Sequence, residues 1–167
     1  MDLLVIRHAI ALDREEFSGT GRPDSERPLT PEGREKMVKA AQGLREFAPR
    51  PELIGTSPFV RAMDTAKIVS DALGATPVEV VDALTPERRS ADLLPWLERH
   101  SRADCVIVVG HEPHLSTMIT WFLSGREESV VELKKGGACL LNLGSRPAAG
   151  RATMRWLLTP SQLRALA

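Results

Sequence analysis

The sequence predicts a three-layer α/β/α fold built on a mostly parallel central sheet. Two unbroken apolar runs, Leu3 to Ile6 and Cys105 to Val109, are too short for helices and suit strands buried on both faces of a sheet. Between them lie apolar stripes at helical spacing, through Met37, Ala40, Ala41, Leu44 and Phe47, and again through Phe59, Ala62, Ala66, Val69 and Leu73. Strands that alternate with helices imply parallel pairing, with helices covering both faces.

Taken in order, the first strand runs straight into Arg7, His8 and Ala9. Residues Ile10 to Pro28 then show little periodicity and carry Gly19, Gly21, Pro23 and Pro28. A connection this long is usually functional or mobile, and this one borders the carboxyl end of the first strand. Leu29-Thr30-Pro31-Glu32-Gly33 reads as a helix start, with Thr30 as N-cap, Pro31 in the first turn and Glu32 near the positive end of the dipole. Pro49 and Pro51 end that helix. Leu53-Ile54 is a short strand, and Thr56-Ser57-Pro58 leads into a second helix with Ser57 as its N-cap and Gly74 as its stop. Val78 to Val81 is a third strand, Leu84 to Glu87 a turn, and Ala91 to His100 a helix. The strand from Cys105 ends in Gly110-His111, and Pro113 opens a helix through Leu115, Met118, Ile119, Phe122 and Leu123. Ala138 to Leu143 and Ala152 to Leu158 form a terminal hairpin around the Arg146–Gly150 loop, and Ser161 to Leu166 a last short helix.

A length of 167 residues suits one domain spanning residues 1–167 with a sizeable core. Lys and Arg balance Asp and Glu at 22 each, and the pI is about 6.9. No global field therefore attracts nucleic acid or an anionic membrane, and any anion site must be local. No apolar run is long enough to span a bilayer, and the N-terminus lacks the basic flank of a signal peptide, so a cytoplasmic location is expected. Cys105 and Cys139 fall in apolar strand-like runs without metal-ligand spacing and read as buried thiols.

The two buried-type strands end alike, in Ile6-Arg7-His8 and Val109-Gly110-His111. Neighbouring parallel strands put their carboxyl ends on one edge, where open α/β sheets place ligands, so the two histidines are expected to meet. Arg61 lies in the first turns of a helix that follows another strand, and its helix start faces the same edge. Helix N-termini and arginine forks both favour phosphate oxyanions. Singly, either histidine is more often structural and Arg61 more often a surface charge. It is their joint occurrence that points to phosphoryl chemistry. Lys134 and Lys135 precede the hairpin within reach of the rim, although lysine pairs are usually solvated.

Arg7-His8-Ala9, Leu29 to Gly33, Thr56 to Ala62 with Thr65-Ala66, and Gly110-His111 resemble, in that order, the motifs of the histidine phosphatase superfamily. The short length and Arg27-Pro28-Leu29-Thr30 make the chain most similar to the bacterial phosphohistidine phosphatases of the SixA type. The resemblance implies a phosphoglycerate mutase-like fold and no metal or other cofactor. It makes His8 a nucleophile that becomes phosphorylated, with Arg7, Arg61 and His111 as catalytic, phosphate-binding partners. The substrate it implies is a protein phosphohistidine, with a small phosphorylated metabolite or a non-turnover phosphate-binding role as alternatives. The chain departs from the family pattern at Ala9, where glycine is usual. Alanine resists positive φ, so an ordinary backbone conformation is expected there. For the proton donor, a glutamate between the second arginine and the second histidine, Glu87 is the best-placed candidate, with Asp13 and Asp24 weaker ones. An imidazole leaves phosphorus more readily than an alkoxide, so a weak acid leans towards a phosphohistidine substrate.

Overall fold

Leu3, Leu4, Val5 and Ile6 are fully buried because β1 (Asp2–Arg7) runs through the interior of a six-stranded sheet. The computed structural model describes all 167 residues. The other strands are β2 (Leu53–Thr56), β3 (Val78–Val80), β4 (Cys105–Gly110), β5 (Ala138–Asn142) and β6 (Thr153–Leu158), in the order β3-β2-β4-β1-β5-β6. β3, β2, β4 and β1 pair in parallel, while β5 pairs antiparallel with both β1 and β6. The mostly parallel sheet and the terminal hairpin are therefore as the sequence predicts.

Strand alternation sends successive side chains to opposite faces, which divides the core in two. Leu3, Val5, Val106 and Val108 pack with Trp96, Leu97, Leu115, Met118 and Phe122 on one face. Leu4, Ile6, Ile107 and Val109 pack with Met37, Ala40, Leu44, Ala62, Ala66 and Val69 on the other. The covering helices are α2 (Pro31–Phe47) and α3 (Val60–Ala72) on the second face, and α4 (Leu94–Arg99) and α5 (His114–Ser124) on the first. α1 (Arg14–Ser18) lies in the first connection and α6 (Pro160–Ala165) closes the chain.

Thr30 caps α2 as expected, its hydroxyl accepting from the Gly33 amide at 2.9 Å. Glycine is required at position 33 because a Cβ there would come within 2.1 Å of the Ile10 carbonyl oxygen. The start of α2 can thus lie directly on the chain leaving β1. Ala9 is not among the residues with positive φ, consistent with the alanine found there.

Four expectations need correction. Ser57 does not cap α3: the N-cap is Phe59, which makes no side-chain cap bond, and the Ser57 hydroxyl accepts from the Phe59 amide at 3.3 Å and pairs with His111. Residues Ile10 to Pro28 are not without structure. They contain α1, capped by Asp13, and a 3-10 turn at Asp24–Glu26, and an Ala11–Leu29 bridge closes them at the base. The helix expected over Ala91 to His100 divides into a 3-10 turn, Ser90–Leu93, and α4, with Pro95 in the first turn of α4. β3 ends at Val80 and is an exposed edge strand. Cys105 and Cys139 are buried as expected, and burial pushes both thiols up to about 12. No helix is long and apolar enough to cross a membrane.

Candidate active site

The pairing register of β1 with β4 aligns Arg7 with Gly110, and the His8 amide donates to the Gly110 carbonyl at 3.1 Å. His8 and His111 thus lie one residue beyond a matched pair of strand ends, with ring centroids 5.1 Å apart. They line a cleft of about 410 Å³ together with Arg7, Arg61 and Glu112, and with Ala11, Leu12, Asp13, Arg14 and Arg27 from the first connection. Pro86 and Lys135 complete its rim. Among the expected site residues, His8, Arg7, Arg61 and His111 come together. Glu87 is exposed and does not line the cleft, although its neighbour Pro86 does.

His8 is 5% exposed, and its Nδ1 lies 2.7 Å from the Ala9 carbonyl oxygen. A carbonyl only accepts, so the proton is on Nδ1 and the neutral ring keeps a lone pair on Nε2. Burial pushes the ring's pKa down to about 3, reinforced by the charges of Arg61, Arg7 and Arg27 and opposed by the bond to Ala9. The Ala9 amide in turn donates to the Thr65 hydroxyl at 3.0 Å, fixing this turn to α3.

Arg61, in the first turn of α3, is 2% exposed. Its Nε donates to His8 Nε2 at 3.3 Å, while Nη1 and Nη2 donate to the backbone oxygen and carboxylate of Asp24 at 2.8 and 2.9 Å. Burial works to raise the Asp24 pKa. The hydrogen bond from Arg27 and the charges of Arg61, Arg27 and Arg14 outweigh it and hold Asp24 below the usual carboxylate range. Arg7 is held from the opposite side: its Nη1 donates to the Leu133 carbonyl at 2.9 Å, and the Gly136 amide donates to the carbonyls of Arg7 and His8. Its Nε is buried without a partner.

His111 places Nε2 2.8 Å from the Ser57 hydroxyl and leaves Nδ1 buried and unpartnered. Burial, then the neighbouring His8 and Arg61, lowers its pKa far below the usual value. Glu112 follows it directly and was not singled out from sequence. Burial raises its pKa, against the Ser116 hydroxyl and the charge of Arg7, and one carboxylate oxygen has no partner. A histidine followed by a glutamate at a strand end was the available signal.

The lowered histidine pKa values carry a stability consequence. The folded state keeps His8 and His111 neutral, whereas the unfolded chain binds protons on both below about pH 6.5. Stability is therefore expected to fall as the pH drops from 7 to 5, a window in which most carboxylates stay ionised. Urea unfolding midpoints across that window measure it. A flat profile, or one unchanged in His8→Ala, would contradict the assignment of a neutral His8.

Residues 3–86 match the model of the histidine phosphatase superfamily (branch 1). An uncharacterized protein of Picosynechococcus sp. is 35% identical over 148 residues, 87% of each chain. The solved structure of the protein histidine phosphatase SixA complexed with tungstate is similar with a TM-score of 0.82 at 26% identity, over 98% of this chain and 99% of that one. The alpha-ribazole phosphatase of Shigella flexneri shares the fold, with a TM-score of 0.71 at 18% identity over 96% and 97% of the two chains.

Proposed function

The chain belongs to the histidine phosphatase superfamily, branch 1, and on that premise we propose that it is a metal-independent phosphatase acting through a covalent phosphohistidine on His8. One observation carries the reading: the bond from Nδ1 to the Ala9 carbonyl keeps the proton off Nε2, whose lone pair meets the Arg61 Nε–H at 3.3 Å in a cleft lined by Arg7, Arg61 and His111. Nε2 attacks phosphorus as the bond to the leaving group breaks and that group takes a proton. Water then attacks the phosphorus of phospho-His8 and loses a proton. The P–N bond breaks, releasing phosphate and the neutral imidazole, with Nδ1 protonated throughout. Phosphoryl charge builds on oxygens in the cleft that the Arg7 and Arg61 guanidiniums and the His111 ring line.

We assign a protein-borne phosphohistidine as the substrate. The site opens on a cleft bordered by a long surface connection, and the likeness to SixA spans nearly the whole chain at 26% identity. Small phosphate esters are the rival, since the same fold serves an alpha-ribazole phosphatase. Turnover of a phosphohistidine peptide should exceed that of sugar and nucleotide monophosphates in kcat/KM, and the reverse order would overturn the assignment. EDTA should leave turnover unchanged.

Two carboxyls stand for the leaving group's proton: Glu87 on the rim turn, and Glu112, which alone among the cleft-lining carboxyls is held towards its protonated form. Replacing the donor with glutamine should slow alkyl phosphate hydrolysis on the order of 10²-fold or more. Phosphohistidine turnover should fall far less, because imidazole needs less help to leave. Equal losses on both substrates, in Glu87→Gln and Glu112→Gln alike, would exclude both residues as donors.

A further inference from the structure

We propose that Asp24 is a positioning residue that aims Arg61 at the nucleophile and makes the connection between Ile10 and Pro28 part of the active site. The inference rests on His8 as the nucleophile. A guanidinium has five donors in a fixed fork, and rotating it changes which of them faces a neighbour. Asp24 takes one donor from each terminal nitrogen of Arg61, using its backbone oxygen for Nη1 and its carboxylate for Nη2. With both tips held, Nε–H is the donor left facing His8 Nε2.

The clasp is itself braced. The second carboxylate oxygen of Asp24 accepts from Arg27 Nε at 2.8 Å, and Arg27 Nη1 donates to the Leu12 carbonyl at 2.7 Å. Arg27 is buried, whereas Arg14 approaches the same carboxylate only at 3.7 Å and is mostly exposed. The Asp24 carbonyl also accepts from the Arg27 amide, closing the 3-10 turn. One residue therefore fixes the turn, the connection that lines the cleft and the fork of Arg61.

This geometry suits a transfer. As phosphorus takes the Nε2 lone pair, the Arg61 Nε–H, still held by the clasp, is left beside the phosphoryl oxygens and donates to one of them. Holding the donor in place beforehand is what lets it act in the transition state at little reorganisation cost. The carboxylate also carries a negative charge beside the phosphate site, so it opposes ground-state binding of the dianion. Positioning and simple scaffolding thus predict different results.

In Asp24→Asn, kcat for an aryl phosphate should fall at least tenfold, while the competitive inhibition constant of inorganic phosphate stays equal or becomes lower. Asp24→Glu keeps the charge on a longer arm and should lose less kcat than Asp24→Asn. A kcat within twofold of the unmodified protein, or phosphate binding lost in step with kcat, would overturn the proposal. So would a glutamate variant no better than the asparagine one. His8→Ala, assayed alongside, separates the two levels. If it is inactive and Asp24→Asn is unimpaired, only the clasp fails; if it retains turnover, the nucleophile reading fails and the clasp with it.

Discussion

Replacing His8 with alanine is expected to reduce phosphatase turnover by several orders of magnitude while the protein still folds and still binds phosphate. The size of the loss follows from the role. Removing a covalent nucleophile removes the route itself, and the remaining groups provide only binding and charge stabilisation. The fold should survive because the strands on either side are held by backbone pairing and apolar packing that His8 does not supply. Two bonds are lost, one to the Ala9 carbonyl and one from Arg61 Nε. Leaving a buried group without a partner costs about 1–3 kcal/mol, while Arg61 keeps both bonds to Asp24 and a phosphate ion entering the vacated space would satisfy its Nε again. The measurement is steady-state hydrolysis of an aryl phosphate, joined to rapid quenching after a labelled phosphoramidate. Label that is acid-labile, base-stable and absent in His8→Ala supports the covalent route. Tight phosphate binding with no label in the unmodified protein would instead indicate a phosphate-binding module.

Replacing Arg61 with alanine should cost about 3–4 kcal/mol of transition-state stabilisation, the magnitude of a lost oxyanion donor, or on the order of 10²–10³-fold in kcat. Lysine at position 61 should restore little of it. A lysine is a point charge without a fork, and it cannot hold both the backbone oxygen and the carboxylate of Asp24 while directing a third donor at His8. The stability cost should be smaller than for breaking a fully buried ion pair, because the Asp24 carboxylate is 37% exposed and keeps Arg27. Kinetics and urea unfolding on the same preparations separate the two effects. A lysine variant within a few-fold of the unmodified kcat would show that charge alone suffices and that the fork is incidental.

The parts of the molecule that the sequence determined are those whose signals are local. Four successive apolar residues before Arg7-His8 and five before Gly110-His111 identify the two central strands. Parallel pairing then places their polar ends together, as the Arg7–Gly110 register shows. Thr30, Pro31 and Gly33 marked the start of α2 because capping and close packing are decided within one turn. The motifs in order were enough to identify the superfamily and the four residues His8, Arg7, Arg61 and His111 that line one cleft.

What only the tertiary structure decided is which polar group faces which, and how much water remains. Ser57 looks like a helix cap in sequence, yet its hydroxyl partners His111, 54 residues away. Asp24 is one of several charges in a stretch without periodicity, and its partner Arg61 lies 37 residues further on. Glu112 looks like any solvated glutamate until burial raises its pKa, and Glu87 is kept off the cleft lining by a turn whose direction no local pattern gives. The physical reason is common to all four. Periodicity and capping act over one or two turns of chain. Desolvation and hydrogen-bond partnership depend on surfaces brought together by packing, and they appear only once the layers have closed.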